Sequence, residues 1–367
     1  MIDTAEPGFL SLGQTPARRV ALRSVERGRQ GRTLLVHGPP GAGKRAFVDD
    51  LLALAFCAGE DRSSRPCNAC RGCRDARARA HPDLVIGSPE TWRELRGTGD
   101  SIVAAARRWL LAAAGAPITA DRRVVLSEHA DRANEQTQNA LLKTLEEPTD
   151  RHVFILVADE PSRLLPTIRS RCQPLRIGPV PREELAAHLV ASERLPADQA
   201  DALARIANGL SGTAVTYARD PALLRWRTMV QAELLDLLER GPAERFAALR
   251  DLLDETARLR PTATPPASED DEPARTPASA QREAALLIVE AWLGLTRDLI
   301  VAAAGRSGLA PSGEVAPALE EDARRIGTAP LIDVIRLLER IHDGLRDNAA
   351  ARLALEVAVL RWPSAAR

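Results

Sequence analysis

The sequence predicts an α/β fold with a parallel sheet in its first part, followed by an all-α C-terminal region. Three apolar runs rich in β-branched residues, 33–37, 122–126 and 153–157, are typical of buried strands. Helical stretches at 101–114 and 139–147 alternate with these strands, and such alternation favours a parallel sheet. The last third of the sequence shows only helical patterns.

A glycine-rich loop follows the first of these strands. It contains Gly38, Gly41 and Gly43 and ends at Lys44, where a helix is predicted to begin. Such glycines let successive backbone N–H groups point at phosphate oxygens, and the positive end of the helix adds to the attraction. The next residue of a phosphate loop should carry a hydroxyl that ligates Mg²⁺, but the sequence has Arg45. The loop therefore either holds ATP or ADP without metal-dependent hydrolysis or is a relic, and the sequence leaves both open.

Four of the five cysteines predict a structural zinc site. The ligands are Cys57, Cys67, Cys70 and Cys73. Thiolates two residues apart on a tight loop converge on one tetrahedral Zn²⁺, and four cysteine ligands leave no open position for water. The alternative is a set of free thiols. Five arginines surround the cluster and either touch DNA or a neighbour or form a solvated face: Arg65, Arg71, Arg74, Arg77 and Arg79.

The stretch after the cysteines predicts a short strand and an amphipathic helix. The strand is Leu84–Ile86, and His81 just before it is interpreted as a packing residue and not as a fifth metal ligand. The helix spans 101–114, and its Trp109 and Leu110 are expected in the core.

Polar residues follow the strand at 122–126. Glu128, His129 and Asp131 stand at its carboxyl end, which is where ligands bind in open parallel sheets. Pro148 ends the helix at 139–147 because proline cannot continue the hydrogen-bond ladder.

Composition limits the possible classes of protein. The 367 residues are 45% apolar and 27% charged with a net charge of zero, so any DNA contact must be a local patch. No apolar run is long enough to span a bilayer and no secretory pattern is present, which predicts a cytoplasmic protein without membrane contact. Among 50 basic residues only Lys44 and Lys143 are lysines, and both lie inside motifs. Because the composition disfavours lysine so strongly, we expect that each is required.

Two separated strings carry a resemblance to a known family. Asn139-Ala-Leu-Leu-Lys-Thr-Leu-Glu-Glu-Pro148, followed by Arg169-Ser-Arg-Cys172, resembles the sliding-clamp-loader branch of the AAA+ superfamily. The resemblance implies an AAA+ P-loop domain over residues 1–177 with the zinc module inserted at 57–73. A small helical lid over 178–225 and a helical collar over 226–367 would follow.

Several positions depart from the pattern of the active family members. The resemblance puts Glu128 where an aspartate positions Mg²⁺ and His129 where a glutamate activates water. Ala158 stands where a polar sensor is frequent, and Val215 stands near the place of a sensing arginine. Together with Arg45, these departures predict a site that does not turn over ATP. Gly13 and Gln14 resemble a pair near the adenine pocket, or else form a plain loop before the helical stretch 17–26.

Arg171 is the candidate catalytic residue. In the family the arginine of the Ser-Arg-Cys string reaches the ATP site of the next subunit, where it stabilises charge on the transferred phosphoryl group. The alternative is an exposed arginine that caps a helix. An intact arginine string beside an eroded ATP site predicts a subunit that helps its neighbours without hydrolysing ATP.

The C-terminal part is predicted to be helical. A break at 177–181 precedes three short helices, at 183–192, 198–208 and from 212 toward 222. Residues 261–280 have the composition of a disordered insert. One helix face near the end is apolar, as core faces usually are, and the resemblance implies that it builds a collar that joins subunits into a ring; its members are Leu331, Val334, Leu338, Ile341 and Leu345.

The resemblance therefore implies a non-hydrolysing subunit of the DNA polymerase III clamp loader that works in DNA replication. Its expected partners are gamma/tau-like ATPase subunits, a delta-like subunit, the sliding clamp indirectly, and primed DNA within the complex. One alternative is a gamma/tau-like motor. A second is a zinc-knuckle DNA-binding protein with a vestigial AAA+ body, whose isolated chain would bind DNA tightly and in a salt-sensitive way.

Overall fold

The computed structural model describes residues 8–26, 33–61, 64–95, 100–146, 151–258, 277–306, 316–346 and 349–363. It divides into two compact units, one formed by residues 1–192 and 209–214 and the other by 193–208 and 215–367. No helix within the described ranges is long and apolar enough to cross a membrane.

The first unit is built on five parallel strands. They are β1 (Thr33–His37), β2 (Leu84–Gly87), β3 (Arg123–Ser127), β4 (His152–Ala158) and β5 (Cys172–Arg176), in the spatial order β2-β3-β4-β1-β5. Four of these strands are predicted from the apolar runs, with ends that differ by one residue at most. The fifth is not, because Pro174 interrupts its pattern. A proline is tolerated there because β5 lies at the edge of the sheet.

Helices accompany the strands along the chain. They are α1 (Thr15–Glu26), α2 (Lys44–Phe56), α3 (Arg71–Arg77), α4 (Pro89–Glu94), α5 (Ile102–Ala113), α6 (Glu135–Glu146), α7 (Pro166–Arg169) and α8 (Arg182–Glu193). Strand residues alternate between two apolar clusters, as a period of two requires. Val36 belongs to the cluster that contains Phe47 of α2, whereas Leu35 belongs to the cluster that contains Trp109 of α5. The core positions expected for Trp109 and Leu110 are confirmed, since each is only 7% exposed.

Close packing of α5 on the sheet depends on a glycine in β2. A Cβ on Gly87 would lie 2.4 Å from the Trp109 ring, and the indole Nε1 donates a hydrogen bond of 3.0 Å to the Ile86 carbonyl. The indole therefore has both apolar contact and a satisfied donor in the core.

The later helices are α9 (Ala197–Ile206), α10 (Ser211–Arg219), α11 (Pro221–Asp236), α12 (Pro242–Arg258), α13 (Pro277–Ala303), α14 (Ala316–Ile326), α15 (Thr328–Arg346) and α16 (Ala351–Arg361). Helix α10 ends at Arg219 and not near 222, because Asp220 caps α11, which begins at Pro221. Helix α13 is central to the second unit and packs against α11, α12, α14, α15 and α16. All five residues of the stripe predicted on α15 are buried.

The insert predicted at 261–280 lies mostly outside the described residues. Its last four positions, 277–280, form the first turn of α13. The domain boundaries expected at 178 and 226 stay predictions.

Candidate phosphate loop, cysteine cluster and exposed arginine

The glycine-rich loop has the backbone geometry expected of a phosphate loop. It joins β1 to α2, and Gly41 and Gly43 have φ angles of +75° and +91°, which glycine adopts without strain. Gly38 approaches the chain after β5 so closely that a Cβ would lie 1.9 Å from the Ile177 carbonyl oxygen. Glycine is therefore required at these positions by geometry within the protein itself.

The ammonium group of Lys44 already has oxygen partners. Its Nζ donates to the carbonyls of Gly38 and Pro39 at 2.7 and 2.8 Å and forms an ion pair of 2.7 Å with Asp159. Both side chains of the pair are about 90% buried, with 10% and 8% exposed. Asp159 follows β4, and its carboxyl pKa lies below the ordinary value because the attraction of Lys44 and the hydrogen bond outweigh burial, which would raise it. A phosphate would have to displace Asp159 from this ammonium.

The start of α10 lies against the phosphate loop. The Gly41 carbonyl accepts N–H bonds from Gly212 and Thr213 at 2.7 and 3.2 Å, and the Ser211 hydroxyl donates to the Ala42 carbonyl at 3.2 Å. A Cβ on Gly41 would lie 1.9 Å from the Thr213 hydroxyl oxygen. Residues of the same chain therefore already occupy the space beside the phosphate loop.

The residues at the metal positions do not fit Mg²⁺. Arg45 is exposed at the start of α2 and offers no oxygen. Glu128 is bound by the guanidinium of Arg79, at 2.7 Å between Oε1 and Nη1. His129 has a left-handed backbone with φ +50°, and burial followed by the charge of Arg132 lowers its pKa, which disfavours the charged imidazolium. Glu128 is therefore the one carboxylate among these three residues, and it is paired with a guanidinium of the same chain.

Two further positions singled out in the sequence, 158 and 215, have the apolar residues Ala158 and Val215, and a third, Gln14, is hydrogen-bonded within the chain. Ala158 ends β4, is fully buried and accepts the Gly38 N–H through its carbonyl at 3.3 Å. The Gln14 amide pairs with the backbone of Gly178, at 2.8 Å as donor and 3.1 Å as acceptor. Val215 lies within α10. Gln14 therefore fastens the loop before α1 to the segment after β5.

Arg171 lies at an exposed corner between α7 and β5. Ile168 on one side is fully buried and Cys172 on the other is 8% exposed, so the backbone of the corner is anchored. The Arg171 side chain is exposed, and its Nη1 donates to the Thr167 carbonyl at 2.9 Å. A rigid corner with an exposed guanidinium is a suitable arrangement for contact with an anionic group outside the chain.

The four clustered cysteines converge. Their sulfur atoms all lie within 4.8 Å of one another, a spacing that fits a bound metal ion. Backbone N–H groups point at the sulfurs, among them Cys67 to Cys57, Cys70 to Cys67 and Cys73 to Cys70, each at 3.4 Å. Such donation from Ala69 and Cys70 lowers the pKa of Cys67 to about 6, which favours the thiolate, whereas burial raises the pKa of Cys73. His81 stacks on Phe56 and accepts the Asp83 N–H through Nδ1, so this nitrogen is engaged within the fold.

The arginines around the cluster do not form one solvated face. That expectation is right for the exposed Arg71 and Arg74 but wrong for Arg77 and Arg79, which make partly buried ion pairs with α2. Arg77 binds Asp50 at 2.8 Å, and the fully buried Asp50 also accepts the Leu10 and Ser11 N–H groups. Sequence reasoning missed Asp49 and Asp50. Consecutive aspartates in an otherwise apolar helix were the signal that could have found them.

A phosphate loop after β1 and five parallel strands in the order β2-β3-β4-β1-β5 define a P-loop α/β domain, which carries the cysteine cluster and is followed by an all-α region. Residues 13–181 match the family described as "DNA polymerase III, delta subunit". The chain is 32% identical over 191 residues to "DNA polymerase III subunit delta'" of Pseudomonas aeruginosa, covering 50% of this chain and 54% of that protein. The matched region of the chain is thus similar to the delta-prime subunit of DNA polymerase III.

Two further relatives extend the comparison. The delta' subunit of Bacillus subtilis is 28% identical over 242 residues, covering 65% of this chain and 69% of that protein. "DNA polymerase III subunit gamma/tau" of Mycobacterium tuberculosis is 26% identical over 377 residues, covering 92% of this chain and 57% of that protein. The chain spans 54% of the length of the Pseudomonas aeruginosa relative, little more than half.

Proposed function

We propose that the chain is a delta-prime-like subunit of a DNA polymerase III clamp loader and acts in DNA replication. In this proposal it does not hydrolyse ATP and instead supplies Arg171 to the ATP site of a neighbouring motor subunit. Its partners are gamma/tau-like ATPase subunits and a delta-like subunit, and through them the sliding clamp and primed DNA. The complex works in the cytoplasm.

The proposal rests on a contrast between the residues of the chain's own candidate nucleotide site and Arg171. Lys44 and Glu128 are each engaged by a charged residue of the same chain, whereas Arg171 is exposed on an anchored corner. A guanidinium that reaches a transferred phosphoryl group in trans stabilises the charge of the transition state, an effect worth roughly 10³–10⁵ in rate. In this proposal the chain keeps the residue that assists hydrolysis in a neighbour and lacks the residues that perform hydrolysis.

The cysteine cluster is proposed to hold a structural Zn²⁺. Cys57, Cys67, Cys70 and Cys73 would form a closed tetrahedral site, and the ion would tie the end of α2 to the start of α3. Free thiols are the alternative, and the convergence of all four sulfurs argues against it.

The test is a matched pair of arginine substitutions in the reconstituted clamp loader. Arg171→Ala should slow single-turnover ATP hydrolysis at the site that it faces by at least about tenfold while assembly is unchanged. Arg169→Ala removes an exposed arginine two residues away and should leave the rate within about twofold of wild type. Equal rates for both variants and the wild type would remove the role in trans.

A gamma/tau-like motor is the second candidate, because the similarity to the gamma/tau subunit extends over 92% of the chain. It requires steady ATP turnover by the purified chain that Lys44→Ala abolishes.

The DNA-binding alternative would act through the exposed Arg71 and Arg74. It requires tight DNA binding by the purified chain that weakens steeply as salt rises.

A further inference from the structure

Arg79 lies between two carboxylates that belong to different elements. Its Nε is 2.9 Å from Asp49 Oδ1 and its Nη1 is 2.7 Å from Glu128 Oε1. Arg79 is 13% exposed, against 22% for Asp49 and 31% for Glu128. A planar guanidinium can bind two carboxylates at fixed angles, which the compact ammonium of lysine does less well.

Both carboxylates belong to elements that carry residues of the candidate ATP site. Asp49 stands one helical turn after Arg45 on α2, so both residues face the same side. Glu128 follows the end of β3, at the carboxyl edge of the sheet, where ligands bind in open parallel sheets. The guanidinium of Arg79 therefore supplies positive charge to a carboxylate at that edge.

Arg79 belongs to the cysteine-cluster module, which we define as residues 57–79. This module positions Arg79 between Asp49 and Glu128. Helix α3 begins directly after Cys70, and Arg79 stands in the turn that follows it with a left-handed φ of +55°. Two residues earlier, Arg77 binds the fully buried Asp50. The module thus binds two successive aspartates of α2 through two arginines.

Burial disfavours the charged form of the Asp49 carboxyl, and a neighbouring cation offsets part of that effect. Burial raises the pKa of Asp49, and the charge of Arg79 together with its hydrogen bond opposes that rise. The Nη2 atom of Arg79 is itself buried without a hydrogen-bond partner among the described residues. The Arg79 guanidinium therefore binds both carboxylates although its Nη2 donor has no hydrogen-bond partner among the described residues.

We propose that the guanidinium of Arg79 is the cation bound between the carboxylates of Asp49 and Glu128, and that it excludes a divalent cation from between them. The cysteine-cluster module positions this guanidinium. The inference goes beyond the role of Arg171 and does not depend on it.

The test is Mn²⁺ binding to the full-length chain, followed by electron paramagnetic resonance. Wild type and Arg79→Lys, which keeps a cation, should bind no Mn²⁺ at this place. Arg79→Met keeps the apolar stem but frees both carboxylates, so it should gain a site at least about tenfold tighter than any wild-type binding, a difference of about 1.4 kcal/mol. Adding Glu128→Gln to Arg79→Met should abolish that gain. Arg71→Met is the control, because Arg71 belongs to the same module but is exposed.

The opposite results are equally specific. Wild-type Mn²⁺ binding that Glu128→Gln removes would overturn the proposal, and so would an Arg79→Met variant that is folded but gains no site. If Arg79→Met does not fold, the comparison of wild type with Glu128→Gln decides, because the proposal requires no Mn²⁺ in either. Metal analysis of each variant shows whether its cysteine cluster is still loaded.

Discussion

Asp83 is fully buried just before β2, where its carboxylate orders the chain before β3. It accepts backbone N–H groups from Thr119 and Ala120, each at 2.8 Å, as well as the Thr119 hydroxyl at 3.0 Å. Burial would raise its pKa, but these donors and the Ile118 N–H lower it from 3.8 to about 2. Because the folded pKa lies below the unfolded one, the stabilisation is complete above about pH 4 and disappears as the pH falls toward 2.

Asp83→Asn is therefore expected to lower the free energy of unfolding by about 2 kcal/mol at pH 7. The difference from wild type should shrink between pH 4 and pH 2, because protonation removes the same charge from the wild-type side chain. Urea unfolding at several pH values measures both effects. Asp121→Asn, at an exposed position, should change stability by less than about 0.5 kcal/mol. A difference for Asp83→Asn that does not vary with pH would contradict the assignment.

Asp50 and Asp75 compare a buried ion pair with an exposed one. Asp50→Ala leaves the partly buried Arg77 and two backbone N–H groups without their acceptor, so we expect a loss of about 3–5 kcal/mol. Asp75→Ala removes the pair with Arg71, which is 88% exposed, and should cost less than about 1 kcal/mol. Chemical denaturation of both variants tests the contrast. Equal losses would show that burial does not control this interaction.

Among the elements, we expect that a bound metal ion stabilises the segment that carries the cysteine cluster. Cys73→Ser should abolish bound zinc and lower the melting temperature, since a structural site of this kind contributes roughly 10–16 kcal/mol in small modules. Cys172→Ser is the matched control because Cys172 lies in β5 outside the cluster, and burial raises its pKa to about 12. Metal analysis and thermal unfolding measure the outcome. Zinc retained in Cys73→Ser, or lost in Cys172→Ser, would exclude the four-cysteine site.

The elements also show what the sequence alone could predict. Strand β1 and the buried stripe of α15 follow from local periodicity, which needs only neighbouring residues. The pair of Arg79 with Glu128 joins residues 49 positions apart, and the Ser211 contact with Ala42 joins residues 169 apart. Local patterns contain no information on such distant contacts. The residues of the candidate site were therefore identifiable by type, whereas their internal partners were not.

For the molecule as a whole, we expect that the chain assists hydrolysis of a nucleotide bound to a neighbouring subunit and does not hydrolyse ATP itself. The purified chain should hydrolyse ATP no faster than the background, because no hydroxyl follows Lys44 and Glu128 is bound by Arg79. The reconstituted clamp loader should hydrolyse ATP at a rate that depends on this chain being present. Turnover by the purified chain that disappears in Lys44→Ala would contradict this expectation.

The most direct measurement compares Lys44→Met with Arg171→Ala in the same reconstituted clamp loader, after equal assembly has been verified. We predict that Arg171→Ala slows ATP hydrolysis by at least about tenfold at the site it faces, whereas Lys44→Met leaves the rate of the complex unchanged. The reverse pattern, a rate that falls with Lys44→Met and is unaffected by Arg171→Ala, would show that the chain is a motor and not an assisting subunit.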